Sequence, residues 1–262
     1  VLTDPARTLL LTVSRSGTTT ETLEAVKRFR GQGGRAVWGI TCYPQSDLGV
    51  MCDQLLVAEA AQEESIAQTR SFASMLLLAQ ALAAAVGGEE TAPLAQLPEL
   101  GRRFLAENSE LMDRLGRDDS LQRFFFLGTG LHYGIACEAM LKMKEMSLSY
   151  SESFHFLEFR HGPKAMVNEE SLVVGVLSRQ AHAYEGQVLR EMGDLGGRTL
   201  ALSFVGDAAA TWAISLDPQL PDWALPVLYL PPLQLLGYTR SVHKGLDPDH
   251  PRNLDAVVHL RF

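Results

Sequence analysis

Cysteine is scarce in this chain: Cys42, Cys52 and Cys137 are the only three in 262 residues, an odd number set far apart. That excludes a disulfide framework and reads as reduced thiols of a cytoplasmic protein. No Cys-x-x-Cys or His-Glu-x-x-His pattern occurs, so neither a built-in metal site nor a metal cofactor is expected. Positive charge is short as well. The 23 Lys and Arg against 31 Asp and Glu give a formal net charge of -8, and the basic residues are mixed with acids. A nucleic-acid partner held by phosphate neutralisation is thereby excluded. Long apolar runs are missing too. The longest, Ala73–Val86, contains Ser74 and Gln80, is too short to span a bilayer, and reads as a buried helix. Leu9–Val13 is too short for a signal peptide, so no membrane partner is expected.

What is present is a globular composition, 46% hydrophobic and 21% charged, with enough apolar material for one large domain or two smaller ones. Thr8–Val13 is a β-type run of the kind found in parallel sheets covered on both faces. A hydroxyl-rich turn follows, and then Glu21–Arg30, where Leu23, Val26 and Phe29 recur at helical spacing. Ala36–Ile40 and Gln54–Val57 read as strands, and Ser65–Val86 as a long helix closed by Gly87 and Gly88. A polar helical stretch from Leu94 to Leu115 bridges to a second unit. There Phe124–Leu127 is a strand, Gly128-Thr129-Gly130 a tight turn and Tyr133–Ser147 a helix. Leu172–Leu177 and Thr199–Phe204 are further strands, and a final helix opens at Gln234. Strand, small-residue turn and helix thus occur twice, at Leu9–Arg30 and Phe124–Ser147. The expected architecture is α/β, with residues 1–89 as a first domain, 90–119 as a helical linker and 120–262 as a second domain with a C-terminal tail.

Three segments concentrate chemistry. In Ser14-Arg15-Ser16-Gly17-Thr18-Thr19-Thr20-Glu21-Thr22 a strand delivers the chain to the start of a helix. Unpaired amides and the positive end of the helix dipole favour an anion there. Gly17 lets the backbone come close to a ligand, and the hydroxyls of Ser14, Ser16 and Thr19 can donate to phosphate oxygens. The plainer alternative is a capping box made by Thr18 and Glu21. The second segment is the helix carrying Glu138, Lys142 and Glu145 on one face. From periodicity alone this is a solvated face worth about 0.2–0.5 kcal/mol per pair. In a crevice, the same carboxylate could act as a base held ionised by its lysine. The third is Glu158-Phe159-Arg160-His161-Gly162-Pro163-Lys164, which Gly162 and Pro163 make a shaped loop holding a histidine able to titrate near neutrality.

Taken in order, these segments resemble the SIS (sugar isomerase) family, and specifically the isomerase half of glucosamine-6-phosphate synthase and its stand-alone relatives. The resemblance is also carried by Glu63-Glu64-Ser65-Ile66-Ala67-Gln68-Thr69-Arg70-Ser71-Phe72, by Glu138-Ala139-Met140-Leu141-Lys142-Met143-Lys144-Glu145, and by the tail Lys244-Gly245-Leu246-Asp247-Pro248-Asp249-His250-Pro251-Arg252-Asn253-Leu254. It implies two tandem SIS domains, each a three-layer α/β/α sandwich around a parallel sheet, in a homodimer with a shared active site. Ser14, Arg15, Ser16 and Thr19 would grip the phosphate of a phosphorylated sugar, and Ile66 and Gln68 would line the sugar pocket. Glu145 would move a proton between C1 and C2 with Lys142 beside it, and His161 of the neighbouring subunit would promote ring opening. No cofactor is implied.

Three departures qualify that expectation. No glutaminase domain is present, so glutamine-dependent amination is not expected. Asp255-Ala256 stand where the family has a C-terminal lysine. The first strand and glycine-serine turn of the first domain are missing before Val1, which is not a natural start residue. The leading reading is an amino-sugar-phosphate deaminase/isomerase acting on a substrate such as glucosamine 6-phosphate. Its rival is a non-catalytic sugar-phosphate-sensing regulatory protein.

Overall fold

Strand and helix alternate along the chain, and every strand pairing is parallel. The computed structural model describes residues 4–203, 210–215 and 220–255. They fall into two units, one of residues 4–90 with 253–255 and one of residues 91–252.

In the first unit the chain runs β1 (Leu9–Val13), α1 (Thr20–Gly31), β2 (Ala36–Thr41), α2 (Asp47–Met51), β3 (Gln54–Val57) and α3 (Arg70–Gly87), with sheet order β1-β2-β3. The helical spacing of α1 places Val26 and Phe29 against Val37 of β2 and Leu48 of α2. On the opposite face of β2, Ile40 joins Cys42 and Met75 of α3. Strand period two puts residues 37 and 40 on opposite sides, so β2 is covered twice. Strand β1 is not. Leu9, Leu11 and Val13 are 46%, 40% and 50% exposed, because β1 is the sheet's edge and α3 lies over β2.

Helix α3 also departs from expectation. It begins at Arg70 rather than Ser65, since the Glu63 carboxylate accepts from the amides of Thr69, Arg70 and Ser71 at 3.1, 3.1 and 3.2 Å and caps the helix there. It is long and apolar enough to cross a membrane by length and composition, yet only 22% of it is buried. Ser71, Met75, Gln80 and Ala84 are the buried residues, so the helix is covered at a few positions instead of all round.

The second unit contains α4 (Leu97–Gly116), β4 (Arg123–Gly128), α5 (Leu131–Ser147), β5 (Tyr150–His155), α6 (Phe156–Phe159), β6 (Ser171–Val176), α7 (His182–Asp194), β7 (Arg198–Ser203), β8 (Trp212–Ser215) and α8 (Leu230–His243). Its sheet order is β5-β4-β6-β7-β8. Phe125, Leu127, Val173 and Ala201 form one face with Phe156 and Phe159 of α6 and Val188, Leu189 and Met192 of α7. The alternate residues Phe124, Phe126, Leu172, Val174, Leu200 and Leu202 are equally buried. On that face Arg240 of α8 lies over the Phe124 ring at 5.6 Å, and α8 itself packs along α5 and α4. Helices therefore cover both sides of a wholly parallel sheet, which is why its strands read as unbroken apolar runs.

Two strands escape a reading by pattern, and both are edges. Tyr150-Ser151-Glu152-Ser153-Phe154-His155 is too polar to signal a strand, and among the described residues it pairs on one side only, with β4. Among the described residues, Trp212–Ser215 pairs only with β7. Helix α8 opens at Leu230, ahead of Gln234, because Pro231 and Pro232 occupy its first turn, where a missing N–H breaks no bond. Phe204, the expected end of β7, lies outside the described residues, as does Ala256.

Candidate active site

The loop after β1 is built around Ser14, which is only 7% exposed. Its hydroxyl accepts from the Gly17 amide at 3.1 Å and pairs with the Thr19 hydroxyl at 3.2 Å. Ser16 Oγ accepts from the Thr18 amide and hydroxyl at 3.2 and 3.0 Å. The capping-box alternative is not what forms. Thr19, not Thr18, is the N-cap of α1, and its own side chain makes no cap bond. The first intrahelical bond runs from Leu23 N to the Thr19 carbonyl at 3.1 Å, so the amides of the first turn precede it at the dipole's positive end. Gly17 turns the loop at φ 65°, and a Cβ there would run into the Ser46 side chain, which caps α2. The Gly17 carbonyl accepts from Leu48 N at 2.9 Å, so α2 braces the loop from behind.

Arg15 is 8% exposed. Its guanidinium donates to the carbonyls of Ser65 and Ile66 at 2.7 and 3.3 Å, while its own carbonyl accepts from Thr41 Oγ1 and Cys42 N, both at 3.1 Å. Arg15 thus ties the 65–69 segment to the loop after β1, bringing Ile66 to the same neighbourhood as Ser14, Ser16 and Thr19. Gln68 Oε1 accepts from the Ser71 hydroxyl at 3.4 Å. The Glu63 carboxylate, which also takes the Ser71 hydroxyl, holds this segment from its other end. Burial and the charge of Glu63 push the Cys42 thiol upward, so it sits beside the loop as an inert protonated thiol.

In the second unit, α5 carries a buried charge cluster. The Lys142 side chain is 3% exposed, 2.6 Å from Glu145 Oε2 and 3.6 Å from Glu138 Oε1. The Glu138 and Glu145 side chains are 5% and 22% exposed. The solvated face that periodicity suggests is therefore an interior face. Ile135, Ala136, Ala139, Met143 and Met146 are buried with it, while Leu141 and Lys144 mark the exposed side of the helix, and a cation so placed is stable only because carboxylates lie beside it. Glu145 is the member that keeps contact with the outside. A carboxylate so placed can take up a proton from a ligand that reaches it.

The C-terminal end of α5, where Glu145 sits, is held by α8 and the residue after it. Lys244 Nζ donates to the Ser147 and Leu148 carbonyls at 2.6 and 3.3 Å, and Ser241 Oγ donates to the Met146 carbonyl at 2.7 Å. These are carbonyls a helix end leaves unpaired. Neither Lys244 nor Glu63 received a role from sequence, since each contact depends on chain folding and the Lys244 contact spans 97 residues. His161 stands exposed in the turn between α6 and the short helical turn Pro163–Met166. No described contact joins it to Lys142 or Glu145.

A SIS domain model matches residues 120–211. The glutamine–fructose-6-phosphate aminotransferase (isomerizing) of Clostridium tetani is 31% identical over 268 residues, covering 96% of this chain and 44% of that relative. The crystal structure of glucosamine-6-phosphate deaminase from Thermotoga maritima superposes with a TM-score of 0.86 at 31% identity, over 99% of this chain and 78% of that one. The chain belongs to the SIS family. The C-terminal domain of glucosamine-fructose-6-phosphate aminotransferase from Francisella tularensis is a further SIS neighbour, at 27% identity and a TM-score of 0.82 over 93% of this chain and 72% of that one. The chain spans less than half the length of the aminotransferase from Clostridium tetani. The loop after β1 and the cluster on α5 are concentrations of polar groups in this SIS protein.

Proposed function

We propose that this SIS protein binds a phosphorylated amino sugar such as glucosamine 6-phosphate and converts it to a ketose phosphate with release of ammonia. The observation that carries the reading is the buried Glu138–Lys142–Glu145 cluster, with Glu145 partly open and 2.6 Å from a lysine that is itself 3% exposed. A structural surface pair has no need of such burial, whereas a carbon acid's base does. Ser14, Ser16, Thr19 and the first amides of α1 take the phosphate, and Arg15 keeps the loop and Ile66 in place, with Gln68 beside them at the sugar. Acting on the open-chain aldehyde, Glu145 removes the proton from C2 while the aldehyde oxygen takes a proton from water, giving an enolamine. The same carboxylate then returns its proton to C1 as the amine gives one up to water. The product is a C2 imine. Water adds to it, ammonia leaves, and the ketose phosphate remains. Lys142, 2.6 Å from Glu145, holds that carboxylate in position for both transfers. The exposed position of His161 supports a role in ring opening from one subunit of a homodimer toward its partner's substrate.

The experiment is incubation of the full chain with glucosamine 6-phosphate in deuterated water, following ammonia and deuterium at C1 of the product. Wild type should release ammonia and exchange the C2 proton. Glu145→Gln should lose roughly 10²–10⁴-fold in rate while retaining the wild-type thermal stabilisation by the sugar phosphate. Binding by wild type without ammonia, ketose or proton exchange would sink the catalytic reading and leave a sensor.

A further inference from the structure

The second unit contains a cavity of about 820 Å³ that the reaction above does not use. Its walls come from three segments: residues 129–132 after β4, residues 178–181 with Tyr184 after β6, and the Asp222–Trp223 turn. We propose that it is a binding site for a nucleoside phosphate.

Sheet topology places the cavity. Strands β4 and β6 are parallel neighbours, but the chain leaves β4 toward β5 on one side and leaves β6 toward β7 on the other. Helices α5 and α7 therefore diverge to opposite faces, and a crevice opens at the carboxyl ends of the two strands, where open α/β sheets bind ligands. It is not the site of Glu145. The two lie at opposite ends of α5, fourteen residues apart from Leu131, or about 21 Å at 1.5 Å per residue.

The loop after β6 repeats the loop after β1. Ser178-Arg179-Gln180-Ala181 matches Ser14-Arg15-Ser16-Gly17, and in each the serine hydroxyl accepts from the amide three residues on at 3.1 Å. Beneath the cavity lies Glu185, wholly buried. Its carboxylate accepts from the Ser178 amide at 2.7 Å and from the Ser178 hydroxyl at 3.2 Å, and it is bonded to the Thr129 side chain as well. One buried carboxylate thus stitches together the two loops that form the crevice. At Gly128 a Cβ would collide with the His132 carbonyl, so the β4 side of the crevice also needs its glycine.

The differences between the two loops indicate the ligand. Arg15 is turned inward onto backbone carbonyls, whereas the Arg179 side chain is 29% exposed in the cavity wall, 3.0 Å from Asp222 and 3.4 Å from the Leu220 carbonyl. It is a cation at the mouth of two helix starts, placed for a phosphate. Where the first loop carries Thr18, Thr19 and Thr20, the second carries His182, Ala183 and Tyr184. The cavity gains the aromatic side chains of His132, Tyr184 and Trp223. Burial keeps His132 uncharged, and its ring stands edge-on to Tyr229 at 5.4 Å. Fewer hydroxyls and more rings suit a flat base better than a sugar. The volume lies high in the range of about 300–1,000 Å³ typical of small-molecule sites.

The test titrates the full chain with AMP and UMP, read by calorimetry and by fluorescence of Trp223, with adenosine, inorganic phosphate and fructose 6-phosphate as controls. At least one nucleotide should bind saturably, one per chain, with adenosine and phosphate each far weaker. Arg179→Met and, separately, the exposed-site variant Tyr184→Ala should each weaken it by about tenfold or more. Trp223→Phe should remove the fluorescence change, and Glu145→Gln should leave binding unaltered. No saturable nucleotide binding up to about 5 mM, wild-type affinity in both Arg179→Met and Tyr184→Ala, or preferential filling by fructose 6-phosphate lost in Arg179→Met would each overturn the proposal.

Discussion

Replacing Lys142 with Met tests whether the cluster on α5 is held together as the structure implies. The substitution keeps the length of the side chain and removes its charge. Glu138 and Glu145 are then two carboxylates on one helical face, the first with its side chain 5% exposed, and both lose their shared cation. Removing one partner of a buried ion pair costs about 3–5 kcal/mol. At about 2–4 °C per kcal/mol for a chain of this size, the melting temperature should fall by roughly 6–20 °C. Lys27→Met is the control. Lys27 lies the same 2.6 Å from Glu24, but those side chains are 60% and 46% exposed, and the loss there should be at most about 0.5 kcal/mol. Urea denaturation of both variants, with circular dichroism as the readout, compares equal distances at unequal burial. Adding Glu138→Gln to Lys142→Met should recover a large part of the loss, since the cost is an uncompensated charge and not a missing contact. A loss at Lys142 below about 1 kcal/mol, or a double variant no better than the single one, would refute the argument.

Two further outcomes follow from other sites. Gly17→Ala places a side chain at φ 65° against Ser46, and should cost about 1–3 kcal/mol in denaturant titration together with loss of stabilisation by hexose phosphates. Retained phosphate binding in a stable variant would show the loop to be a turn only. Glu185→Gln changes the pH dependence of stability. Burial raises the Glu185 carboxyl above its ordinary value of 4.5, so its contribution is fully present below that pH and is lost as pH rises through the folded-state value. The glutamine variant does not titrate, so its stability should gain on wild type as pH climbs from below 4.5 to neutrality. Parallel curves from thermal melts across that window would count against a buried ionisable Glu185.

Much was legible from residue order alone. The apolar runs at Phe124–Leu127 and Leu172–Leu177 announce parallel strands because both faces of that sheet are covered, and Leu23, Val26 and Phe29 announce a helix because their period is helical. The motif residues announced the SIS family for the same reason, being local and contiguous. Edge strands β5 and β8 were hidden, since a strand paired on one side tolerates polar residues. The start of α3 was hidden because Glu63 reaches forward to cap it. Above all, periodicity could place Glu138, Lys142 and Glu145 on one face but could not say whether that face met water or protein. Spacing along a helix is a local property, fixed by 3.6 residues per turn, whereas burial depends on which distant segment packs against it. Only the packing of α5 against β4, β5 and α8 decided that this lysine is interior, and with it that its glutamate partner is a base worth testing.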